Sequence, residues 1–218
     1  MNKFIFFYSP LYEYYNNHIN QKLHNIFDIE SIQINDLNND KGGHTFLGGV
    51  SIKIELIIQK IEENLNKFIV FSDATIFINS ENVILINDFL DSYKMNDLCF
   101  SDNDGKGYYN IGFILIKCNE KTLSFFKNCL NDLIINKGWD QDVINKHLEN
   151  NNDLIVDVFD KTKIVCDWNF NIKYKDTYLI YKSFIPHSSN IIKNYNMRLE
   201  IFRNAGLISE LEYNDNIK

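Results

Sequence analysis

Hydrophobic positions follow two rhythms along this chain. Short unbroken apolar runs, Phe4 to Tyr8, Phe68 to Phe71, Leu98 to Phe100 and Asn110-Ile111-Gly112-Phe113-Ile114-Leu115-Ile116, show no polar alternation. That is the pattern of strands buried on both faces. Between them apolar residues recur every three or four positions, the spacing of one helix face. Ile54, Ile57, Ile58, Ile61 and Leu65 form one such stripe, with Lys53, Glu55, Glu62 and Glu63 off it, and Leu123, Phe126, Leu130, Leu133 and Ile134 form another. Val83 to Tyr93 is predicted helical, and Trp139-Asp140-Gln141-Asp142 opens a further helix with acids in its first turn, as the helix dipole favours. Leu154 to Phe159 and Tyr178 to Tyr181 follow, and the last helix is expected near Tyr195 to Asn204. A polar stretch after the first strand leads into a loop, Gly42 to Gly49, that opens the Ile54 helix. Strands alternating with helices predict an α/β fold with a mostly parallel central sheet flanked by helices. No repeat or linker splits the pattern, so one domain over residues 1–218 is expected.

Charge and composition narrow the chemistry. The net charge of −7, with no basic stripe, argues against a surface that tracks nucleic-acid phosphates, so an anionic ligand needs a local cation. Cys99, Cys118, Cys129 and Cys166 are scattered without a C-x-x-C pair and read as reduced thiols of a cytoplasmic protein. The apolar run after Lys3 is too short for a signal peptide and ends at Ser9-Pro10, and no segment has the length of a membrane span.

The most informative local feature is Phe71-Ser72-Asp73-Ala74-Thr75, where a buried run ends in a carboxylate. Open α/β sheets bind ligands at the carboxyl ends of their strands, so Asp73 is either a ligand contact or the cap of a turn. Asp140 is open to two readings as well: a chemical group, or an N-cap beside a core Trp139. The glycine loop suits phosphate approach but carries no Walker or dinucleotide fingerprint. Lys53 near its helix offers a cation, although a lysine on a polar face is usually solvated. Asp102-Asn103-Asp104-Gly105 reads first as a surface turn and second as a source of extra acids. His18, His24, His44 and His147 lack ligand-like neighbours in sequence.

Four ordered segments together resemble one family. Phe71-Ser72-Asp73-Ala74-Thr75 resembles the end-of-strand Asp-any-Asp motif of nucleotide-diphospho-sugar glycosyltransferases with the GT-A fold. Asn110 to Ile116 resembles their N-[TI]-G-F-[MI]-L-I strand, Trp139-Asp140-Gln141-Asp142-Val143-Ile144-Asn145 their W-D-Q helix opening, and Ile185-Pro186-His187-Ser188 their late histidine. Short single-domain enzymes of large-virus and bacterial type are the nearest in kind. The resemblance implies transfer of a sugar from a nucleoside diphosphate, UDP favoured, to a hydroxyl of a glycan or other acceptor. It implies donor contacts at Tyr8, Ser9, Ser72, Asp73, Thr75, Asn110, Gly112 and Gln141, to which the position of Lys53 near the glycine-loop helix adds a cation for the donor. Asp140 would act near the acceptor or the anomeric carbon, with Asp142 as fallback. A divalent cation, Mn2+ or Mg2+, would be held by Asp73, the Thr75 position and His187, stabilising the departing diphosphate.

Thr75 departs from the pattern, because the family usually has its second aspartate there. A neutral hydroxyl in that place lowers the expected metal affinity. It also opens an alternative: a catalytically impaired sugar-nucleotide-binding or scaffold protein of the same fold. A sugar nucleotidylyltransferase ranks last, because Ser9-Pro10-Leu11-Tyr12 stands where that class needs a Gly-rich, Arg-containing loop.

Overall fold

The computed structural model describes residues 2–34, 45–79, 81–102, 107–166, 177–181, 191–204 and 206–218. Strand β1 (Lys3–Tyr8) is buried along nearly its whole length, and Pro10 starts a 3-10 turn, with Tyr12 N–H donating to the Ser9 carbonyl at 2.8 Å. Helix α1 (Glu13–Leu23) follows, then β2 (Asp28–Gln33). Both lie in the stretch that the hydrophobic pattern read as merely polar. The buried face of α1 is made of Tyr15, Asn16, His18, Ile19 and Leu23, too polar on average to stand out.

Helix α2 (Thr45–Glu63) begins inside the expected glycine loop, so Gly48 and Gly49 are helical. Its Ile54, Ile57 and Ile61 are fully buried, while Leu65 falls beyond the last turn and is exposed. Then come β3 (Phe68–Asp73), β4 (Ile76–Ile78), α3 (Ile86–Asp91), β5 (Leu98–Asp102) and β6 (Tyr109–Lys117). Helix α4 (Glu120–Asn136) starts at a capping box: Asn119 accepts from Thr122 N–H, and the Thr122 side chain accepts from Asn119 N–H. Ile134 is exposed on it, not part of the buried stripe. The order finishes with α5 (Asp140–Glu149), β7 (Val156–Val158), β8 (Ile164–Cys166), β9 (Leu179–Tyr181), α6 (Ile191–Asn204) and α7 (Glu210–Asn216), the last a helix the hydrophobic pattern did not predict.

The main sheet runs β2-β1-β3-β6-β5-β7, parallel throughout except for β6, which is antiparallel to both neighbours. Successive residues of β1 feed opposite faces. Ile5 joins Ile69, Phe71, Ile114 and the inner faces of α2, α4 and α5, whereas Phe4 and Phe6 join Val70, Phe113, Leu115 and the inner faces of α1 and α3. A smaller sheet, β4-β9-β8, borders the second face, where buried His18 accepts from Ile78 N–H at 3.1 Å. Burial holds the His18 pKa down at about 4, so its Nε2 keeps its lone pair. The reversed strand matters most for position. Because β6 runs against β3, its first residues lie at the carboxyl edge of the sheet, beside the end of β3.

Candidate functional site

At that edge β3 ends in Asp73, in register with Phe7 at the end of β1. The Asp73 side chain is 31% exposed, and Lys53 of α2 places its Nζ 2.8 Å from Oδ1. Lys53 itself is only 5% exposed, not solvated as its sequence neighbourhood suggested. At about 100° per residue it lies about 40° around the helix from Ile57, so it faces the sheet. An ammonium taken out of water costs several kcal/mol unless it is paired, and Asp73 is the partner.

Helix α5 brings the second carboxylate. Trp139 is its N-cap and makes no side-chain cap bond, and at 47% exposure it is not a core aromatic. Asp140 is therefore the first helical residue rather than the cap, and its Oδ1 accepts from Gln141 N–H at 2.8 Å. Burial pushes the Asp140 carboxyl above the usual carboxylate range, the Lys53 ammonium opposes this, and the Asp73 charge adds to it. Lys53 and Asp73 thus both act on the charge of Asp140, with opposite signs.

The start of β6 closes the third side. Asn110 is fully buried, and its Oδ1 accepts from Gly112 N–H at 2.8 Å, while its Nδ2 has no hydrogen-bond partner. Ser101, its cross-strand partner at a register shift in β5, also has an unpartnered hydroxyl. Ile111 N–H donates to Gln141 Oε1 at 3.4 Å, and the Tyr108 hydroxyl donates to exposed Asp142. Burial and Asp142 together raise the Tyr108 pKa. Ser72 is fully buried, its hydroxyl shared between the carbonyls of Asp73 at 2.9 Å and Gly112 at 3.3 Å, which ties β3 to β6. On the other side, Tyr8 is nearly buried and donates to Gln33 Oε1 at 3.3 Å. Burial first and Glu13 second raise its pKa. Buried Ser9 follows it, and Thr75 is half-buried in the turn after Asp73.

Lys53 and Asp73 meet directly, Asp140 lies within reach of their charges, and Asn110, Gly112, Gln141 and Ser72 are tied together through β3, β6 and α5. Tyr8 and Ser9 reach the same edge through β1, while Asp142 lies further out on α5. His187, the turn residues Asn103 to Gly105, and Gly42 to His44 lie outside the described residues. Sequence reasoning missed Tyr108 and Asn145, which fasten α5 to β6. Asn145 was findable, as a polar residue one turn after Gln141 on the apolar side of the helix.

A hard divalent cation asks for about six oxygen ligands. Here Asp73 is already paired with an ammonium, Thr75 brings a neutral hydroxyl, and no cluster of three His, Cys, Asp or Glu suited to a metal occurs among the described residues. The described residues do not by themselves fit such an ion. Nor is any helix among them long and apolar enough to cross a membrane.

The profile of the nucleotide-diphospho-sugar transferase family matches residues 55–191. No curated protein matches this chain. Among solved structures, a glycosyltransferase involved in glycosylation of the major capsid of PBCV-1 is similar, with a TM-score of 0.63 at 12% identity over 85% of this chain and 96% of that one. The galactosyltransferase LgtC, solved with donor and acceptor sugar analogues, aligns at 13% identity and TM-score 0.54 over 98% of this chain and 99% of its own. The glycosyltransferase GlyE of Streptococcus pneumoniae aligns at 11% identity and TM-score 0.56 over 98% of this chain and 62% of its own. At such identities the structural likeness speaks for the fold, and the profile match, which spans more than half of the residues, speaks for descent: the chain belongs to the nucleotide-diphospho-sugar transferase family, with the GT-A fold of its glycosyltransferases.

Proposed function

We propose that this protein moves a sugar from a nucleoside diphosphate sugar, with UDP as the favoured carrier, to a hydroxyl of a glycan or other acceptor. The observation that carries this reading is the Lys53, Asp73 and Asp140 unit at the carboxyl edge of the sheet. In the reaction the bond from the anomeric carbon to the diphosphate oxygen breaks, and a bond from that carbon to the acceptor oxygen forms. Negative charge grows on the diphosphate, and the acceptor proton must leave.

Lys53 spends one of its three N–H donors on Asp73, which leaves two for oxygens that become more anionic. Asp73 anchors that ammonium and faces the ribose. Asp140, whose burial raises its proton affinity, takes the acceptor proton. The unpartnered Nδ2 of Asn110 and the backbone at Gly112 approach the donor sugar, with Gln141 beside them, and Tyr8 and Ser9 border the base and ribose. Asp142 is the fallback base. No step of this reading passes through a divalent cation.

A panel of UDP- and GDP-sugars, incubated with the protein with and without Mn2+, tests it through release of free nucleoside diphosphate. Turnover with at least one UDP-sugar is expected. Asp73→Ala should weaken UDP binding about tenfold, whereas Asp140→Asn should lower kcat about 100-fold or more and leave UDP binding within about threefold. The reverse pattern would overturn these roles. The neutral Thr75 favours one second reading, a sugar-nucleotide-binding protein without turnover. Binding with no release across the whole panel would establish it.

A further inference from the structure

We propose that Asn145 is the positioning residue that sets Asp140 against Lys53 and Asp73, by clasping the backbone of Tyr109 at the start of β6. The inference rests on the transferase reading for its consequence, but its geometry stands alone. Asn145 is 3% exposed. Its Oδ1 accepts from Tyr109 N–H at 2.6 Å, and its Nδ2 donates to the Tyr109 carbonyl at 2.8 Å. One side-chain amide thereby meets both polar groups of a single strand residue, as a neighbouring strand would. The same Nδ2 donates to the Gln141 carbonyl at 2.8 Å, which ties the clasp to the first turn of α5.

Asp140 opens that turn, and the hydrogen bond its carboxylate oxygen accepts is internal to the helix, from Gln141 N–H. Its position is therefore the position of α5. Val143 and Ile144 bury the helix against the core, but apolar packing tolerates sliding and rotation that a pair of directional bonds does not. Two lighter contacts flank the clasp: Ile111 N–H to Gln141 Oε1, and the Tyr108 hydroxyl to Asp142. Together they join Tyr108, just before β6, and Tyr109 and Ile111 within it to Gln141, Asp142 and Asn145 of α5.

Asn145→Ala removes the clasp. The groups that face Asp140 are Lys53 from α2 and Asp73 from β3, with Asp142 and Tyr108 further along its own side of the site. A loosened α5 lets Asp140 drift from its place while the Lys53–Asp73 pair, held by α2 and β3, stays as it is. The test measures amide hydrogen exchange at Tyr109 and at Val143 in the first turn of α5, alongside kcat and UDP affinity, in the intact protein. The expected result is faster exchange at Tyr109 and Val143, kcat per folded molecule down about 30-fold, and UDP affinity within about threefold, because a misplaced catalytic group costs rate rather than binding. Unchanged exchange at those two amides, or kcat and UDP affinity falling in equal measure, would overturn the proposal.

Should Asn145→Ala fail to fold, Asn145→Asp carries the test. Its carboxylate still accepts from Tyr109 N–H but opposes the Tyr109 carbonyl, and protonation restores a donor. Its deficit relative to the unaltered protein should shrink as pH falls, and a deficit independent of pH would refute the clasp. If the unaltered protein turns over no donor, the transferase reading fails. Faster exchange at Tyr109 and Val143 in Asn145→Ala would then still support the clasp, and unchanged exchange would still sink it.

Discussion

A lysine sequestered against the sheet is the residue on which the site turns. Lys53 neutralises Asp73, and the carboxylate is the more exposed member of the pair. Lys53→Met keeps the length of the stem and removes the charge, and UDP affinity should drop about tenfold or more by calorimetry, with Lys53→Arg recovering part of it. Asp140 yields a stability prediction with a definite sign. Its folded pKa is raised, so the folded protein retains a proton that the unfolded chain has already lost, and folding is penalised as pH rises past the ordinary carboxylate value. Asp140→Asn removes the penalty: Tm should rise by roughly 2 °C at pH 7, and the difference from the unaltered protein should vanish near pH 3. Thr75→Asp would place a second acid in the turn after Asp73. Mn2+ affinity, read by loss of the free-ion EPR signal, should tighten about tenfold if that turn faces the diphosphate.

At the scale of elements, the helices show what a hydrophobic pattern can and cannot convey. The inward faces of α2 and α4 were legible because Ile54, Ile57, Ile61, Phe126 and Leu133 are apolar and correctly spaced. Helix α1 was not, because Tyr15, Asn16 and His18 bury polar groups that only the tertiary fold accommodates. Strand β2 was missed for a related reason. As an edge strand it carries Glu30, which pairs with Lys3 at 2.7 Å and Lys60 at 2.5 Å, and so it lacks the apolar run of the centre. The Asp73 corner and the Asp140 helix start could be read from residue type and spacing. The burial of Lys53 and the Asn145 clasp could not, since each depends on which way a helix is rotated against the sheet. The α4 cap can be tested by itself. Asn119→Ala loses the capping bond and the bond its Nδ2 gives Asp97 at 3.0 Å, and should cost about 1–2 kcal/mol in urea unfolding.

Over the whole molecule, the net charge of −7 repels a dianionic donor at long range, so attraction must come from groups in contact with it. UDP affinity should accordingly change less than about threefold between 50 and 300 mM NaCl, whereas a site drawing on a broad positive field would weaken far more. The mostly parallel sheet was foreseen from the apolar runs, but the direction of β6 was not, since antiparallel and parallel strands buried on both faces look alike in sequence. That reversal has a consequence for how such a protein diversifies. Strand β5 ends, and β6 begins, on the side of the sheet where Asp73 and Asp140 meet, so the connection from Asp102 to Tyr109 starts and finishes next to the chemistry. The turn from β6 into α4 lies at the far end, where Asn119 and Thr122 lock it. On the transferase reading, substitutions at the two ends of the first connection change what borders the site while the register of the sheet stays as it is, and the second is held to its structural duty.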